Sequence, residues 1–476
     1  MSRPAAVIVL AAGQGTRMKS ALPKVVHPLS GLSMIGHALR AAHGLDPEYL
    51  VAVVRHQRDV VAAEIERVLP STIIADQDEI PGTGRAVQCG LKTLDKAVEP
   101  VSGTIVVTYG DVPLLSTDTL ADLVATHEGA GHAVTVLTSR VEDPTGYGRI
   151  IRDASGTVTA IVEQRDATPE QAAINEINAG IYAFDAQFLR DALSSLGTDN
   201  DQGEVYLTDV LAAAAPAGRT AGALELTDHW QSAGANDRVQ LAELGAELNK
   251  RLCEALMRSG VTIVDPQNTW IDVTVRIEND VTLLPGVQLH GATKVATGAT
   301  IGPDTTLTDM TIETGATVIR SHGFGATIGE NATVGPFSYL RPGTVLGANS
   351  KLGAFCEAKN SQIGQDAKVP HLTYVGDAEI GEGANIGAGS IFANYNGVTK
   401  NRTVIGAHTR MGSGGIYVAP VTVGDGAYSG AGALIRKDVP AGALAISETS
   451  QRNIDDWVLK NREGTESAQA AEAAQE

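Results

Sequence analysis

Ala326-Thr327-Ile328-Gly329-Glu330-Asn331 runs directly into Ala332-Thr333-Val334-Gly335-Pro336-Phe337, and both hexads place an aliphatic residue before a glycine. The pattern returns as ATIGPD (299–304), TVLGAN (344–349), NIGAGS (385–390), TVIGAHT (403–409) and TVGDGA (422–427). An aliphatic residue about every six positions, followed by glycine and a small residue, is the signature of a parallel β-helix. The aliphatic side chain fills the prism interior and the small residues fit its corners. Such coils account for the chain from about 262 to 446. They break at 393–403, ANYNGVTKNRT, which reads as a loop extruded from one coil. Loops thrown out of a rigid scaffold commonly carry function.

Upstream of the repeats, DRVQLAELGAELNKRLCEALMRSG (237–260) has apolar residues at helical spacing and ends in Gly260, which predicts a long connecting helix. Before it, strand-like and helix-like segments alternate. AAVIVLAA (5–12) is a continuous apolar run, as expected of a central strand buried on both faces. YLVAVV (49–54), STIIADQ (71–77), TIVVTYGD (104–111) and HAVTVLTS (132–139) are further strands, with helices over 59–69 and 116–127 between them. This alternation predicts an open, mostly parallel Rossmann-like α/β sheet with ligands at the carboxyl ends of its strands. The expected divisions are 1–236, an α/β domain; 237–260, a linker helix; 261–462, a left-handed parallel β-helix; and 463–476, a small, acidic tail expected to be disordered.

Composition agrees with two or three domains. The 476 residues exceed one small core, and aromatics at 4% beside 52 glycines favour tight repeated turns over an aromatic-rich sandwich. A formal charge of −19 argues against nucleic acid or an anionic membrane as partner, though not against a small phosphorylated substrate. Cys89, Cys253 and Cys356 lie far apart and make neither a disulfide framework nor a zinc site. No stretch reaches the roughly 20 apolar residues of a membrane span. The expectation is a cytoplasmic protein.

Leu10-Ala11-Ala12-Gly13-Gln14-Gly15-Thr16-Arg17-Met18 follows the first strand. Its glycines allow backbone N–H groups to approach phosphate. Met18 stands where a dinucleotide fingerprint needs its third glycine, and no Gly-Lys-Ser/Thr follows, so it is neither that fingerprint nor a Walker loop. Arg17 and Lys24 supply cations instead. Tyr109-Gly110-Asp111 alone reads equally well as a strand-ending turn, and Asn236 as a helix cap.

LAAGQGTRM followed by Pro23-Lys24 resembles the signature of sugar-1-phosphate nucleotidyltransferases. Gln77, Pro81-Gly82-Thr83-Gly84, Tyr109-Gly110-Asp111, Gly146-Tyr147-Gly148-Arg149, Glu163, Asn178 and Asn236 follow in the family's order. With the hexapeptide repeats, the chain resembles the bifunctional UDP-N-acetylglucosamine pyrophosphorylase/glucosamine-1-phosphate N-acetyltransferase family over all but the tail. The resemblance implies that Leu10, Ala11, Ala12, Gly13 and Gln77 hold uracil and ribose, with Gly82, Thr83, Tyr109 and Gly110 also at the nucleotide. It implies that Arg17 and Lys24 stabilise the UTP phosphates and leaving pyrophosphate, that Asp111 and Asn236 ligate Mg²⁺, and that Gly148, Glu163 and Asn178 hold the sugar of N-acetylglucosamine-1-phosphate. Joining two anionic reactants needs cations and positioning more than a covalent nucleophile.

Inside the repeats, Ser338-Tyr339-Leu340-Arg341-Pro342-Gly343, Glu357-Ala358-Lys359-Asn360 and Pro370-His371-Leu372-Thr373-Tyr374-Val375-Gly376 are polar where small apolar residues belong. They put a histidine near phosphate-binding cations on successive turns. By resemblance, His371 is the general base for the amine of glucosamine-1-phosphate as it attacks the acetyl-CoA thioester. Glu357 is expected to orient it. Arg341 and Lys359 bind the sugar phosphate beside Tyr374 and Asn385, and Asn394, Tyr395, Ser413 and Ala431 contact acetyl-CoA. A family arginine at the CoA phosphates falls at Glu448 here, with Arg436, Lys437 or Arg452 as candidate replacements. Asn396 stands where the family often has Asp. Trp457 is expected to pack on its own β-helix, with a place near a neighbouring subunit's CoA site as the alternative. Hexapeptide acyltransferases imply a homotrimer with sites between subunits. Two other readings stay open: a nucleotidyltransferase whose β-helix serves only assembly or regulation, and a non-catalytic scaffold. The paired sets Arg17, Lys24, Asp111 and Arg341, Lys359, His371 argue against both.

Overall fold

The run Ala6–Ala11 forms β1, buried along its whole length. In this computed structural model, which describes residues 3–154, 156–197, 203–447 and 451–475, the chain continues through α1 (Met34–His43), β2 (Tyr49–Val54), α2 (Arg58–Val68), β3 (Ile73–Asp76), α3 (Thr83–Ala97), β4 (Thr104–Tyr109), α4 (Thr117–Ala130) and β5 (Val134–Arg140). Then come β6 (Arg149–Arg152), β7 (Val158–Val162), β8 (Glu176–Asp185), α5 (Ala186–Ser195), β9 (Ala221–Leu226) and α6 (Arg238–Arg258). The sheet order is β9-β5-β8-β4-β1-β2-β3, with the antiparallel pair β6–β7 attached to β8.

The α/β expectation is met, in a mixed sheet. Neighbours are parallel except at β8, which runs antiparallel to both β4 and β5. Side chains alternate across β1: Ala6, Ile8 and Leu10 enter one core with Val87 and Leu94 of α3, while Val7 and Val9 enter the other with Ile35 and Leu39 of α1. Burial on both faces accounts for the unbroken apolar run. Polar side chains therefore collect beyond the carboxyl ends of β1, β2, β3 and β4.

The connecting helix α6 is capped by Asp237, whose carboxylate accepts from the backbone of Val239 at 2.9 Å and Gln240 at 3.0 Å. Contacts divide the chain into one unit of Met1–Val275 with Gln288–Gly291, and a second of Arg276–Val287 with Ala292–Glu476. The division therefore falls later than residue 260. The first coil is tied to the helix: Asn249 donates to Thr269 O at 2.7 Å and accepts from Ile271 N at 3.1 Å. Val273 N also donates to Ser30 O at 3.0 Å.

The second unit is the predicted left-handed parallel β-helix, with its short strands stacked in three parallel sheets. Leu283, Ile301, Val318, Val334, Leu352 and Val369 form one interior column, each at most 2% exposed. We call the sheet carrying that column face A. The sheet carrying Tyr339–Leu340, Glu357–Lys359, Tyr374–Gly376 and Ile391–Ala393 is face B. The third, with Thr327–Ile328, Val345–Leu346 and Ala378–Ile380, is face C.

The tail departs from expectation. Trp457–Asn461 forms α7 and Glu466–Ala473 forms α8, whose N-cap Thr465 accepts from Ala468 N at 3.3 Å. Alanine-rich sequence with a Thr cap and Glu466 in the first turn favours a helix without any apolar stripe. Trp457 is 43% exposed, not buried on the repeats, and the Arg462 guanidinium lies 5.0 Å from its ring centre. Glu448 lies outside the described residues.

Candidate active sites

The first site opens where β1, β2, β3 and β4 end. A cavity of about 360 Å³ is lined by Leu10 to Gly13, Lys24, Gln77, Gly82, Thr83, Tyr109 and Asp111, together with Arg55, His56 and Glu204. Two glycines set its walls. Gly15 adopts φ +64°, and a Cβ there would lie 2.5 Å from the Cβ of Lys24, so only glycine lets the loop close on that lysine. Gly82 adopts φ +119°, and a Cβ there would lie 2.3 Å from Val205 O. The 77–82 turn is held from within: Gln77 Nε2 donates to Ile80 O at 3.0 Å and Gly82 O at 3.2 Å. Arg55 braces it from outside, donating to Glu79 O at 3.0 Å.

The charged centre of this site is Lys24. Its ammonium is ion-paired with Asp111 and donates to Asn236 Oδ1 at 3.1 Å. One carboxylate oxygen and one amide oxygen thus converge on a single cation position. Asn236 does not cap α6, a role filled by Asp237. Gly110 N donates to Leu10 O at 2.9 Å, locking the Tyr109–Asp111 turn against the first loop. Tyr109 packs beside Gly180, and burial first, then the Asp111 and Glu163 charges, pushes its phenol above the usual value.

Gly148, Glu163 and Asn178 meet in a second cluster. Asn178 N donates to Gly148 O at 2.9 Å, and Asn178 Nδ2 donates to Tyr182 OH at 2.7 Å. A Cβ on Gly148 would lie 3.4 Å from Glu163 Oε1. Burial, then the charges of Asp166 and Asp209, raises the Glu163 carboxyl. Arg17 sits on the single turn Thr16–Met18, exposed and outside the cavity lining.

On the β-helix the predicted residues fall on two faces. On face B, Arg341 Nη1 donates to Glu357 Oε1 at 2.9 Å, so Glu357 pairs with the arginine and makes no hydrogen bond to His371 among the described residues. The expectation that Glu357 orients His371 is corrected: Glu357 lies in register with Tyr339 and Tyr374 on face B, diagonal to Arg341, while His371 ends a strand of face A. Lys359 lies in register with Gly376, and Asn394 Nδ2 is 3.4 Å from Tyr374 OH. Tyr395, in the extruded loop, is 60% exposed and donates to Gly397 O at 2.6 Å.

His371, exposed at the end of its face A strand, shares one corner with Ser413 and Ala431. Their backbones stack coil on coil: Gly389 N donates to His371 O at 3.1 Å, Gly414 N to Ala388 O at 2.7 Å and Gly432 N to Ser413 O at 2.8 Å. Asn385 lies on face A, bridged to Lys368 and Arg410, and so stands apart from Tyr374 on face B. Sequence reasoning missed Arg55, His56 and Glu204 at the first site, and Asp377 and Lys400 at the second, and it singled out Asn360 only as part of a polar stretch. Arg55 and His56 follow directly on a strand end, which was the available signal.

Comparison with known proteins bears on both halves. Residues 6–272 match the nucleotidyl transferase family model, and residues 325–358 match the bacterial transferase hexapeptide model of six repeats. The chain is 62% identical to the bifunctional protein GlmU of Pseudarthrobacter chlorophenolicus over 99% of this chain and 96% of the relative. It is 60% identical to that of Kineococcus radiotolerans (99% and 95%) and 58% identical to that of Corynebacterium glutamicum (99% and 97%). The cavity with its Lys24–Asp111–Asn236 centre lies in the half matched by the first model, and the Arg341–Glu357 pair lies on coils matched by the second; the chain belongs to the GlmU family of bifunctional uridylyltransferase and acetyltransferase enzymes.

Proposed function

We propose that the β-helix acetylates glucosamine-1-phosphate with acetyl-CoA, and that the α/β unit then transfers uridylyl from UTP to the N-acetylglucosamine-1-phosphate so made, releasing pyrophosphate. The observation that carries the reading is the convergence of Asp111, Asn236 and Lys24 at the cavity formed by the first glycine-rich loop.

In the first unit, Leu10 to Gly13, Gln77, Gly82 and Thr83 hold the nucleotide. Gly148, Glu163 and Asn178 hold the sugar, and Tyr109 stands between the two groups. A phosphate oxygen of the sugar attacks the α-phosphorus of UTP in line, and Lys24, with Arg17 at the loop, offsets the charge growing on the leaving pyrophosphate. Two oxygen donors aimed at one cation position, with no cluster of three acidic or imidazole groups among the described residues, suit Mg²⁺, which takes few protein ligands and completes its shell with phosphate and water. Mg²⁺ held by Asp111 and Asn236 supplies further neutralisation of the phosphates.

In the second unit, Arg341 and Lys359 hold the sugar phosphate, with Tyr374 and Asn385 beside it. His371 takes the proton of the amine as it attacks the thioester carbonyl, and Asn394, Tyr395, Ser413 and Ala431 contact the CoA. Asn385 on a different face from Tyr374 favours a site completed by a second copy, and so a homotrimer. An exposed apolar strip fits the same reading: Phe337 and Phe355 stack at 5.1 Å, exposed by 53% and 56%, beside Leu372 at 62%. Three free, buried cysteines suit the cytoplasm, and among the described residues no helix is long and apolar enough to cross a membrane.

The deciding experiment follows thiol release from acetyl-CoA, driven by glucosamine-1-phosphate, and UTP turnover in the same preparations of wild type and His371→Ala. Release lost only in the variant, with UTP turnover intact in both, is expected. Release that survives in His371→Ala removes the histidine from the base role.

A further inference from the structure

Asp377 ends the Tyr374–Gly376 strand of face B and turns the chain onto face C with φ +48°. Aspartate is common at such left-handed corners, and Asp280, Asp304 and Asp366 occupy others in this β-helix. Those three are exposed, whereas Asp377 is 8% exposed. A corner needs only the backbone conformation. A buried carboxylate needs partners.

Its partners come from the coils on either side. Asn360 Nδ2 donates to Oδ1 at 2.7 Å, Asn394 Nδ2 donates to Oδ2 at 2.5 Å, and Lys359 Nζ lies 3.8 Å from Oδ2. The backbone repeats the link: Asp377 N donates to Lys359 O at 3.0 Å and Thr403 N donates to Asp377 O at 3.3 Å. Burial pushes the carboxyl pKa up, but the two amides and the charges of Lys359 and Lys400 outweigh it and hold the group ionised below its ordinary value. Asn394 is itself 7% exposed, so without this acceptor its amide would be buried with only the long contact to Tyr374 OH.

We propose that Asp377 is the positioning residue of the acetyl-transfer site: its one carboxylate fixes the Lys359 ammonium and the Asn394 amide, and so sets the phosphate-binding group and the CoA-binding group in register. The inference rests on the acetyl-transfer reading above. Asp377 acts through those two side chains and touches no substrate.

The test uses the full-length chain. Asp377→Asn keeps the shape but removes the charge and turns an amide towards the amides of Asn360 and Asn394. KM for glucosamine-1-phosphate and for acetyl-CoA should each rise about tenfold, the order expected when the ion pair to Lys359 and the charge-assisted hydrogen bond from Asn394 are lost. UTP turnover in the same preparation should be unchanged. In a Lys359→Gln background the further rise in the sugar-phosphate KM should be less than about twofold, and in Asn394→Ala the same should hold for acetyl-CoA, because linked groups are not additive. If Asp377→Asn does not fold, Asp377→Glu, which keeps the charge at a displaced position, is judged by the same two double variants. KM values within about twofold of wild type, or effects that multiply in the double variants, overturn the proposal alone. A wild type that releases no thiol overturns the acetyl-transfer reading and the proposal with it.

Discussion

Lys24 Nζ donates to Asn236 Oδ1 at 3.1 Å although 212 positions separate the two residues, and the same ammonium is ion-paired with Asp111. The two oxygens proposed for Mg²⁺ are therefore already satisfied by a protein cation. Those oxygens would hold a metal ion only once Lys24 turned from them, as it would when substrate phosphates offered it another anion. Lys24→Met should bind Mn²⁺ several-fold more tightly in the absence of nucleotide, read by electron paramagnetic resonance, while its uridylyl transfer falls by about 10²-fold or more. Weaker or unchanged Mn²⁺ binding would remove the metal from these two ligands.

Asp111→Ala should abolish uridylyl transfer and leave acetyl transfer intact, because among the described residues the ion-pair partner of its carboxylate, Lys24, lies in the first unit. The check is both assays on one preparation. Joint loss from a folded protein would mean that the two activities are not divided between the units.

Arg341→Ala should raise KM for glucosamine-1-phosphate about tenfold or more, the equivalent of one hydrogen bond to a charged group at about 1.5–3 kcal/mol. UTP kinetics should not change. Since Arg341 now pairs with Glu357, the variant also frees that carboxylate beside Tyr374. A KM that stays at the wild-type value sinks the phosphate role.

Gly82→Ala should destabilise the first unit by about 1–3 kcal/mol and raise KM for UTP. The position has φ +119° and its new Cβ would meet Val205 O, a backbone atom that cannot swing aside. Urea unfolding with parallel UTP kinetics tests this, and acetyl transfer serves as the internal control.

His127 gives a pH signature. It lies 3% exposed beneath β5, with Nδ1 3.1 Å from Thr135 Oγ1, and burial, then the neighbouring His132, lowers its pKa to about 4. Between pH 6.5 and 4 the unfolded chain binds a proton that the folded chain refuses. Stability therefore falls as pH drops through that window and levels off below it, by up to about 3 kcal/mol. His127→Gln should flatten this slope in urea midpoints measured at pH 5 and pH 7.5. An equal slope in wild type and variant would assign the effect elsewhere.

The strands of the first unit were legible where burial on both faces made them uninterrupted, as in β1, β2 and β4. β8 was not, because a register shift between Asn178 and Tyr182, with Gly180 at φ +79°, breaks its alternation in mid-strand. The repeats announced the β-helix because each coil repeats the same packing problem. Candidate site residues were legible where a polar group interrupts that repeat, as at Arg341, Lys359 and His371. Asp377 was hidden because Gly376-Asp377 reads as one more corner, and only side-chain burial separates it from the others. The pairing of Glu357 was misjudged for a related reason: the sequence spacing does not say which face a carboxylate looks out from. The helix in the tail was missed because a short, capped, alanine-rich segment carries no core pattern.

The stacking of face B has a consequence for what the site can accept. Arg341, Lys359, the Gly376–Asp377 corner and Asn394 lie on four successive rungs. Strand neighbours are about 4.8 Å apart, so three steps fix a span of roughly 14 Å between the first cation and the extruded loop. The solenoid is a graduated rule. Adding or deleting one whole coil between Arg341 and Asn394 would leave the backbone ladder from coil to coil continuous and still spoil the enzyme, because the far mark would move by one division relative to a substrate of fixed length.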